Sequence, residues 1–353
     1  MSQPLVAILG TRYEDFAIEE QILGALGARL VVGDGAGPAE ILATASQADV
    51  ILAGSRPRFT ADVLARLRVK GIVRYGVGTE TIDLDAARRA GIAVARVSDY
   101  GTEAVAFHAV ALAMTQLRRI VDADRTVRNG QWGVGSLRPL HLPSTSTAGV
   151  IGYGRIGRQT ATYFRGLGLR VCAFDAYVAV PAGDGVESVS LEQLLERSDV
   201  VSLHAPGRTD GRPLLDAGRL AAMKPGSVLV NTARGSLVDL PALVDGLAAN
   251  RPGRAALDVF PREPPDLTQF EAVADRVVFT PHMAWYTSES EADLRGKAAN
   301  EAVRLLRGQP LRDPVVEPGS KEDRVRASAS EPAGGEDRVR ASASEPAGGE
   351  QKA

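Results

Sequence analysis

Short apolar runs alternate with helical stretches along most of the chain. Leu5 to Leu9, Arg29 to Val32, Val50 to Ala53, Gly71 to Arg74 and Ile92 to Ala95 read as five strands with helices between them. The alternation resumes at Thr147 to Ile151, Leu169 to Phe174, Val200 to Leu203, Ser227 to Asn231, Arg254 to Leu257 and Val277 to Phe279. Such alternation predicts an α/β fold with doubly wound parallel sheets. A long alanine-rich stretch, about Thr102 to Ile120, predicts one helix between two α/β units.

Among the glycine clusters, Gly152-Tyr153-Gly154-Arg155-Ile156-Gly157 has the context of a dinucleotide site. It follows a strand directly and opens a helical stretch from Arg158 to Phe164, which Gly166 and Gly168 end. The next strand stops at Asp175, at the expected interval of roughly 20 residues. Gly152 permits the turn, Gly154 lets the backbone approach a pyrophosphate, and Gly157 lets helix and strand pack closely. The pyrophosphate is expected at the helix N-terminus, where free amides and the helix dipole favour an anion. Asp175 suits ribose hydroxyls, and Ala176-Tyr177-Val178 has no basic residue to hold a 2′-phosphate, so the expected cofactor is NAD. Gly33-Asp34-Gly35-Ala36-Gly37 and Gly76-Val77-Gly78 lack the third glycine at the required spacing.

Composition narrows the function classes. The 353 residues suffice for two domains, and 41 basic against 43 acidic residues give a net charge of −2. That balance does not support nucleic acid or an anionic membrane as a direct partner. No apolar stretch approaches the ~20 residues that span a bilayer. Met1-Ser2-Gln3-Pro4 has no basic residue, and Leu5 to Leu9 is too short for a signal sequence. A single cysteine, Cys172, cannot form an internal disulfide, which suits a reducing cytoplasm, and its place in a strand reads as core filling. From about Glu317 the composition changes. Residues 322–335 read EDRVRASASEPAGG and residues 336–349 repeat them letter for letter, so 317–353 is expected to be a disordered tail with a tandem 14-residue repeat.

Two side chains carry candidate chemistry. Arg234 lies just beyond the strand that ends at Asn231, at the end of a parallel sheet where ligands bind. A guanidinium there can grip a carboxylate through two parallel hydrogen bonds, although a surface or helix-start arginine has the same local sequence. His282, in Thr280-Pro281-His282, is the candidate proton donor, since a free imidazole pKa of ~6.5 lies near working pH. His108, inside a helical run, reads as a packed or capping residue, His141 as a loop residue, and His204, just after a strand, as the second candidate.

With these residues on the page, the chain resembles the D-isomer-specific 2-hydroxyacid dehydrogenases over about residues 5 to 316. The matching stretches include Arg74-Tyr75-Gly76-Val77-Gly78, the glycine fingerprint, Leu203-His204-Ala205-Pro206 and Asn231-Thr232-Ala233-Arg234-Gly235. Leu257-Asp258-Val259-Phe260 with Glu263-Pro264, and Thr280-Pro281-His282, complete the set. Arg74 to Gly78 together with Trp285-Tyr286-Thr287 resembles most the C-terminal-binding-protein branch, which holds bacterial dehydrogenases and animal co-repressors.

The resemblance implies two Rossmann-like domains with the active-site cleft between them. The substrate domain, flavodoxin-like, would be 1–98 plus 288–316 and the NAD domain 99–287, in a protein that is usually a homodimer. It implies Arg234, Glu263 and His282 as the catalytic group, with Glu263 holding the far nitrogen of His282 and raising its pKa. It implies Tyr153, Arg155, Ile156, His204, Ala205, Pro206, Thr232, Ala233, Arg234, Asp258 and His282 beside the cofactor. Asp258 would meet the nicotinamide carboxamide. Arg74, Tyr75, Gly76, Val77, Arg234, His282 and Trp285 would line the substrate. No metal is implied. The expected activity is NAD-dependent interconversion of a 2-keto acid and a D-2-hydroxy acid. The alternatives are an NAD(H)-sensing co-repressor-like scaffold with little turnover, or a dehydrogenase of an inorganic oxyanion such as phosphite. Glu80, Arg96-Val97-Ser98 and Phe107 depart from the family's usual Asp, Asn-Val-Pro and acid.

Overall fold

The computed structural model describes residues 3–11, 13–208 and 210–318; the repeat-bearing tail lies outside them. The first sheet begins with β1 (Leu5–Leu9), β2 (Arg29–Gly33), β3 (Val50–Ala53), β4 (Gly71–Arg74) and β5 (Ala93–Arg96). The second contains β6 (Thr147–Ile151), β7 (Arg170–Phe174), β8 (Glu187–Ser188), β9 (Val200–Leu203), β10 (Val228–Asn231), β11 (Arg254–Leu257) and β12 (Val277–Phe279). A last strand, β13 (Pro314–Val316), returns to the first sheet.

The strand orders are β13-β5-β4-β3-β1-β2 and β12-β11-β10-β9-β6-β7-β8. Both are doubly wound. The first has the flavodoxin-like order, and the second reverses direction between β6 and β9, where such sheets open a crevice for ligands. β3, β4, β6, β9 and β10 are buried along their whole length, as expected of parallel strands covered by helices on both faces. One departure from purely parallel sheets is β13, which pairs antiparallel with β5.

The helix Ser288–Arg307 leaves the second sheet and packs on the first. Thr287 caps it by accepting from the Ser290 N–H, and Leu294, Ala298, Ala299, Ala302 and Leu305 join Val6, Val50, Leu52 and Val73 in one buried cluster. A Cβ on Gly71 would lie 2.9 Å from Leu305, so the absence of a side chain in β4 lets this helix sit close.

The helix expected from Thr102 to Ile120 is present and ends at Leu117, and a second helix that periodicity did not mark follows it. The first runs Thr102–Leu117 and the second Ile120–Arg128. Arg119 breaks them in the left-handed region, φ 51°, and is held there by its own side chain. Its Nε donates to Asp122 at 2.8 Å and its Nη1 to the Ser136 carbonyl at 2.8 Å. Composition alone could not reveal this break, because Arg118 and Arg119 are ordinary helix formers. Among the described residues, no single helix is long and apolar enough to cross a membrane.

Candidate active site

The fingerprint glycines are required by packing. Gly152 has φ 95°, and a Cβ there would lie 2.6 Å from the His204 backbone. A Cβ on Gly157 would lie 1.9 Å from the Gly152 carbonyl oxygen. Gly154 faces open space, with nothing within 4 Å of its virtual Cβ. It caps the helix Arg155–Gly166 without any side-chain hydrogen bond, so the first-turn amides have no side-chain acceptor. Tyr153 is buried with the Arg158 guanidinium 5.4 Å above its ring centre. Arg155 reaches Ser98, donating from Nη2 to its carbonyl and hydroxyl, both at 2.9 Å.

Asp175 stands at the end of β7 and accepts from three amides: Tyr153 at 2.6 Å, Tyr177 at 2.8 Å and Val178 at 2.9 Å. Burial pushes its carboxyl up, but these N–H donors outweigh it and hold the group below the ordinary carboxylate range. Thr232, just past β10, has a buried hydroxyl without a hydrogen-bond partner among the described residues. An open glycine turn, free helix amides, an ionised acid and an orphaned hydroxyl at one sheet's C-terminal edge fit a dinucleotide. His204 and Ala205 pack on the turn, and Pro206 follows them.

On the neighbouring strand ends the polar side chains converge. Asn231 shapes the Arg234 loop from both sides, donating from Nδ2 to the Arg234 carbonyl at 2.9 Å and accepting from the Ala233 N–H at 3.0 Å. Arg234 Nη1 donates to the Ala233 carbonyl at 2.8 Å. Gly235 packs so tightly that a Cβ would sit 2.0 Å from the Phe260 carbonyl carbon, which draws the Arg234 and Glu263 loops together. Glu263 Oε1 accepts from the Phe260 N–H at 3.0 Å, and Oε2 stands 2.7 Å from His282 Nδ1. The hydrogen bond to Glu263 raises the His282 pKa above 6.5, outweighing burial, while Glu263 itself is held low by His282 and the Phe260 amide against the upward push of burial.

His282 has φ 54°, and Asp258 holds the turn that carries it. The buried Asp258 carboxylate accepts from Thr280 Oγ1 at 2.5 Å, Met283 N at 2.9 Å and Ala284 N at 3.0 Å. Because the Thr280 hydroxyl spends its proton on Asp258, the 3.2 Å contact from His108 Nε2 must be a donation to Thr280. His108 is thus part of the scaffold under His282. His204 has no extra proton to give near neutral pH, since burial pushes its pKa down to about 3 and keeps the ring neutral, and it bonds Ser202 Oγ at 2.9 Å.

Across the cleft, Arg74 is buried and spent on backbone, donating to the Gly78 and Ala53 carbonyls at 2.9 Å each. The Tyr75 side chain turns away into the core packed on the first sheet, its hydroxyl 2.9 Å from Glu19, so only its backbone remains for the loop. Gly76 has φ 126° and Val77 is part-exposed. Trp285 donates from Nε1 to the His282 carbonyl at 3.1 Å.

Two residues beside this group were given no role by sequence reading: Tyr100 went unmarked, and Glu80 was marked only as a departure from the family pattern. The Tyr100 hydroxyl lies 3.6 Å from a virtual Cβ on Gly76, and its ring meets Trp285 edge-on at 6.1 Å. Burial pushes its phenol up to about 12. Glu80 Oε1 stands 3.0 Å from Arg234 Nε. Both stand beyond a strand's C-terminal end, and Glu80 carried the further signal of replacing the family's usual Asp. No group of three or more His, Cys, Asp or Glu among the described residues is arranged to hold a metal.

Two doubly wound sheets, a glycine turn that fits a dinucleotide and an Arg–His–Glu group at their facing edges together make up the site. Residues 110–284 match the D-isomer specific 2-hydroxyacid dehydrogenase, NAD binding domain. The chain is 34% identical over 281 residues to the glycerate dehydrogenase of Methylorubrum extorquens, covering 77% of this chain and 87% of that protein. It is 34% identical over 303 residues to the D-3-phosphoglycerate dehydrogenase of Archaeoglobus fulgidus, covering 84% of this chain but 57% of that longer protein. The apo structure of D-lactate dehydrogenase from Escherichia coli superposes with a TM-score of 0.78 at 31% identity, over 88% of this chain and 100% of that one. The chain belongs to the D-isomer-specific 2-hydroxyacid dehydrogenase family.

Proposed function

We propose that this chain is an NAD-dependent D-2-hydroxyacid dehydrogenase that runs reversibly as a 2-keto acid reductase. The observation that carries this reading is the 2.7 Å pairing of His282 with Glu263 in the cleft that Arg234 also faces. Arg234 binds and orients the substrate carboxylate, with the backbone of Tyr75, Gly76 and Val77 opposite and Arg74 and Trp285 shaping the pocket. With Nδ1 held by Glu263, His282 Nε2 is free to give a proton to the keto oxygen as it becomes a hydroxyl, and to take it back in oxidation. When bound, the nicotinamide supplies or accepts the hydride.

Gly152 to Gly157 would hold the pyrophosphate, and Asp175 the adenosine ribose. His204, Ala205, Pro206, Thr232 and Ala233 would line the rest of the cofactor, with Asp258 beside its carboxamide. In this reading residues 1–98 and 288–316 form the substrate domain and 99–287 the NAD domain, and closing them excludes water. Exposed Phe107, Trp132, Val134 and Leu142 on the NAD domain support a homodimer interface. A lone buried thiol suits the cytoplasm. The Arg74-to-Gly78 and Trp285-Tyr286-Thr287 stretches support a place near the C-terminal-binding-protein branch.

The matched length of the glycerate dehydrogenase relative makes hydroxypyruvate the first substrate to try. Steady-state NADH oxidation with glyoxylate, pyruvate, hydroxypyruvate and phosphonooxypyruvate, and NAD reduction with phosphite, tests the reading. Turnover of a keto acid that falls on the order of 10²–10⁴-fold in His282→Ala is expected. Tight NADH binding without turnover of any keto acid would favour the sensing scaffold, and turnover of phosphite alone would favour the oxyanion reading.

A further inference from the structure

Glu80 lies on the first sheet's loop beyond β4, Arg234 on the second sheet's loop beyond β10, and their ion pair bridges the cleft. The Glu80 carboxylate stands at the Nε of Arg234, on the Nε–Nη2 edge that a guanidinium uses to hold a carboxylate through two bonds. Nη1 is already turned to the Ala233 carbonyl. Gly78 leaves room for the meeting. A Cβ there would lie 2.3 Å from Glu80 Oε2 and 3.4 Å from Arg234 Nη2. The Glu80 carboxylate therefore lies over the same glycine loop that faces the substrate.

The charges that act on it are Arg234 and Arg74, and Arg234 also acts on His282 and Glu263. Burial pushes the Glu80 carboxyl up, but its own backbone amide and Arg234 outweigh that and keep it ionised at neutral pH. Its side chain is 68% exposed, so it can swing into water without leaving a buried charge behind. Such exposed pairs are weak, and an incoming anion displaces them readily.

We propose that Glu80 is a built-in competitor of the substrate, a carboxylate that closes the Arg234 anion site in the empty cleft and must be displaced for a 2-keto acid to bind. This deepens the preceding reading and rests on it for the identity of the anion. Glu80 thereby sets the site's threshold: a monodentate or neutral analogue cannot displace it as well as a carboxylate that takes both Arg234 donors. It acts through Arg234 and touches no reacting atom.

The test is a KM-against-kcat split together with a binding measurement that needs no turnover. In Glu80→Gln, KM for the best keto acid should fall by about 1.5- to fivefold, with kcat moving much less. The dissociation constant of oxamate with NADH present, by titration calorimetry, should fall in parallel. Glu80→Asp, which keeps the charge but shortens the reach, should fall between wild type and Glu80→Gln. Unchanged melting temperatures would show both variants fold. A KM that rises in Glu80→Gln would overturn the proposal and make Glu80 a support that orients Arg234. An unchanged KM and oxamate affinity would overturn it as well. If wild type turns over no keto acid, the proposed activity fails, yet tighter oxamate binding by Glu80→Gln would still uphold Glu80 as the competitor at this anion site.

Discussion

His282 Nδ1 and Glu263 Oε2 meet at 2.7 Å although 19 residues separate them, because the Asp258 carboxylate pins the turn of one and the Phe260 amide orients the other. The pairing decides both which imidazole nitrogen faces the cleft and how long the ring stays protonated as pH rises.

The pH dependence follows from that contact. The folded His282 pKa lies above 6.5, so the imidazolium that the proposed reduction needs persists to higher pH than in a free ring and is lost as pH rises through the raised value. Oxidation needs the neutral ring and should rise over the same range. Glu263 titrates below its ordinary 4.5, so the pair is charged at both ends between the two values and loses its stabilising effect above and below. Glu263→Gln should move the loss of reduction to lower pH. An identical kcat/KM profile in wild type and variant would refute the coupling.

Arg234→Lys keeps one positive charge but loses the fork. We expect kcat/KM for the keto acid to fall about 10- to 100-fold, as one bidentate pair becomes a single flexible contact. A variant within about threefold of wild type would mean that another group anchors the carboxylate.

Asp175 is the residue expected to set the cofactor preference. The wild type should use NADH with the higher kcat/KM, and Asp175→Ala should narrow the gap to NADPH. Because the carboxylate also ties down the Tyr153, Tyr177 and Val178 amides, NADH affinity should weaken as well. Equal use of NADH and NADPH by the wild type would remove Asp175 from this role.

Asp258→Ala should destabilise the protein by about 3 kcal/mol or more, since a buried hydroxyl and two amides lose their acceptor together. His108→Ala, one step further out, should cost less and leave the His282 pKa nearly unmoved. Chemical denaturation of both variants checks the order. Equal losses would show that His108 carries the clamp as much as Asp258 does.

Much of this molecule was legible one residue at a time. Strand and helix periodicity marked out eleven of the thirteen strands to within about a residue at each end, because runs of apolar residues must be buried wherever they fall. The two missed, β8 and β13, are short edge strands whose partners supply the order. The glycine turn was readable too, since steric demands at Gly152 and Gly157 are local. Family motifs then pointed to Arg234, Glu263 and His282 as one group.

What no local pattern contained was which side of each strand end a polar group faces and what it finds there. Tyr75 stands inside the loop motif, yet its hydroxyl is claimed by the buried Glu19 that also pairs with Arg295, 276 residues away from Glu19 in the chain. His108 read as a packed or capping residue and is a donor to Thr280, while the break at Arg119 rests on contacts its own side chain makes. Glu80 read as a departure from a motif and proved to be the partner of Arg234 across the cleft. Burial and periodicity are properties of a segment, so the chain carries them openly. Hydrogen bonds and ion pairs between loops of different sheets are properties of distance, and distance exists only once both sheets have folded.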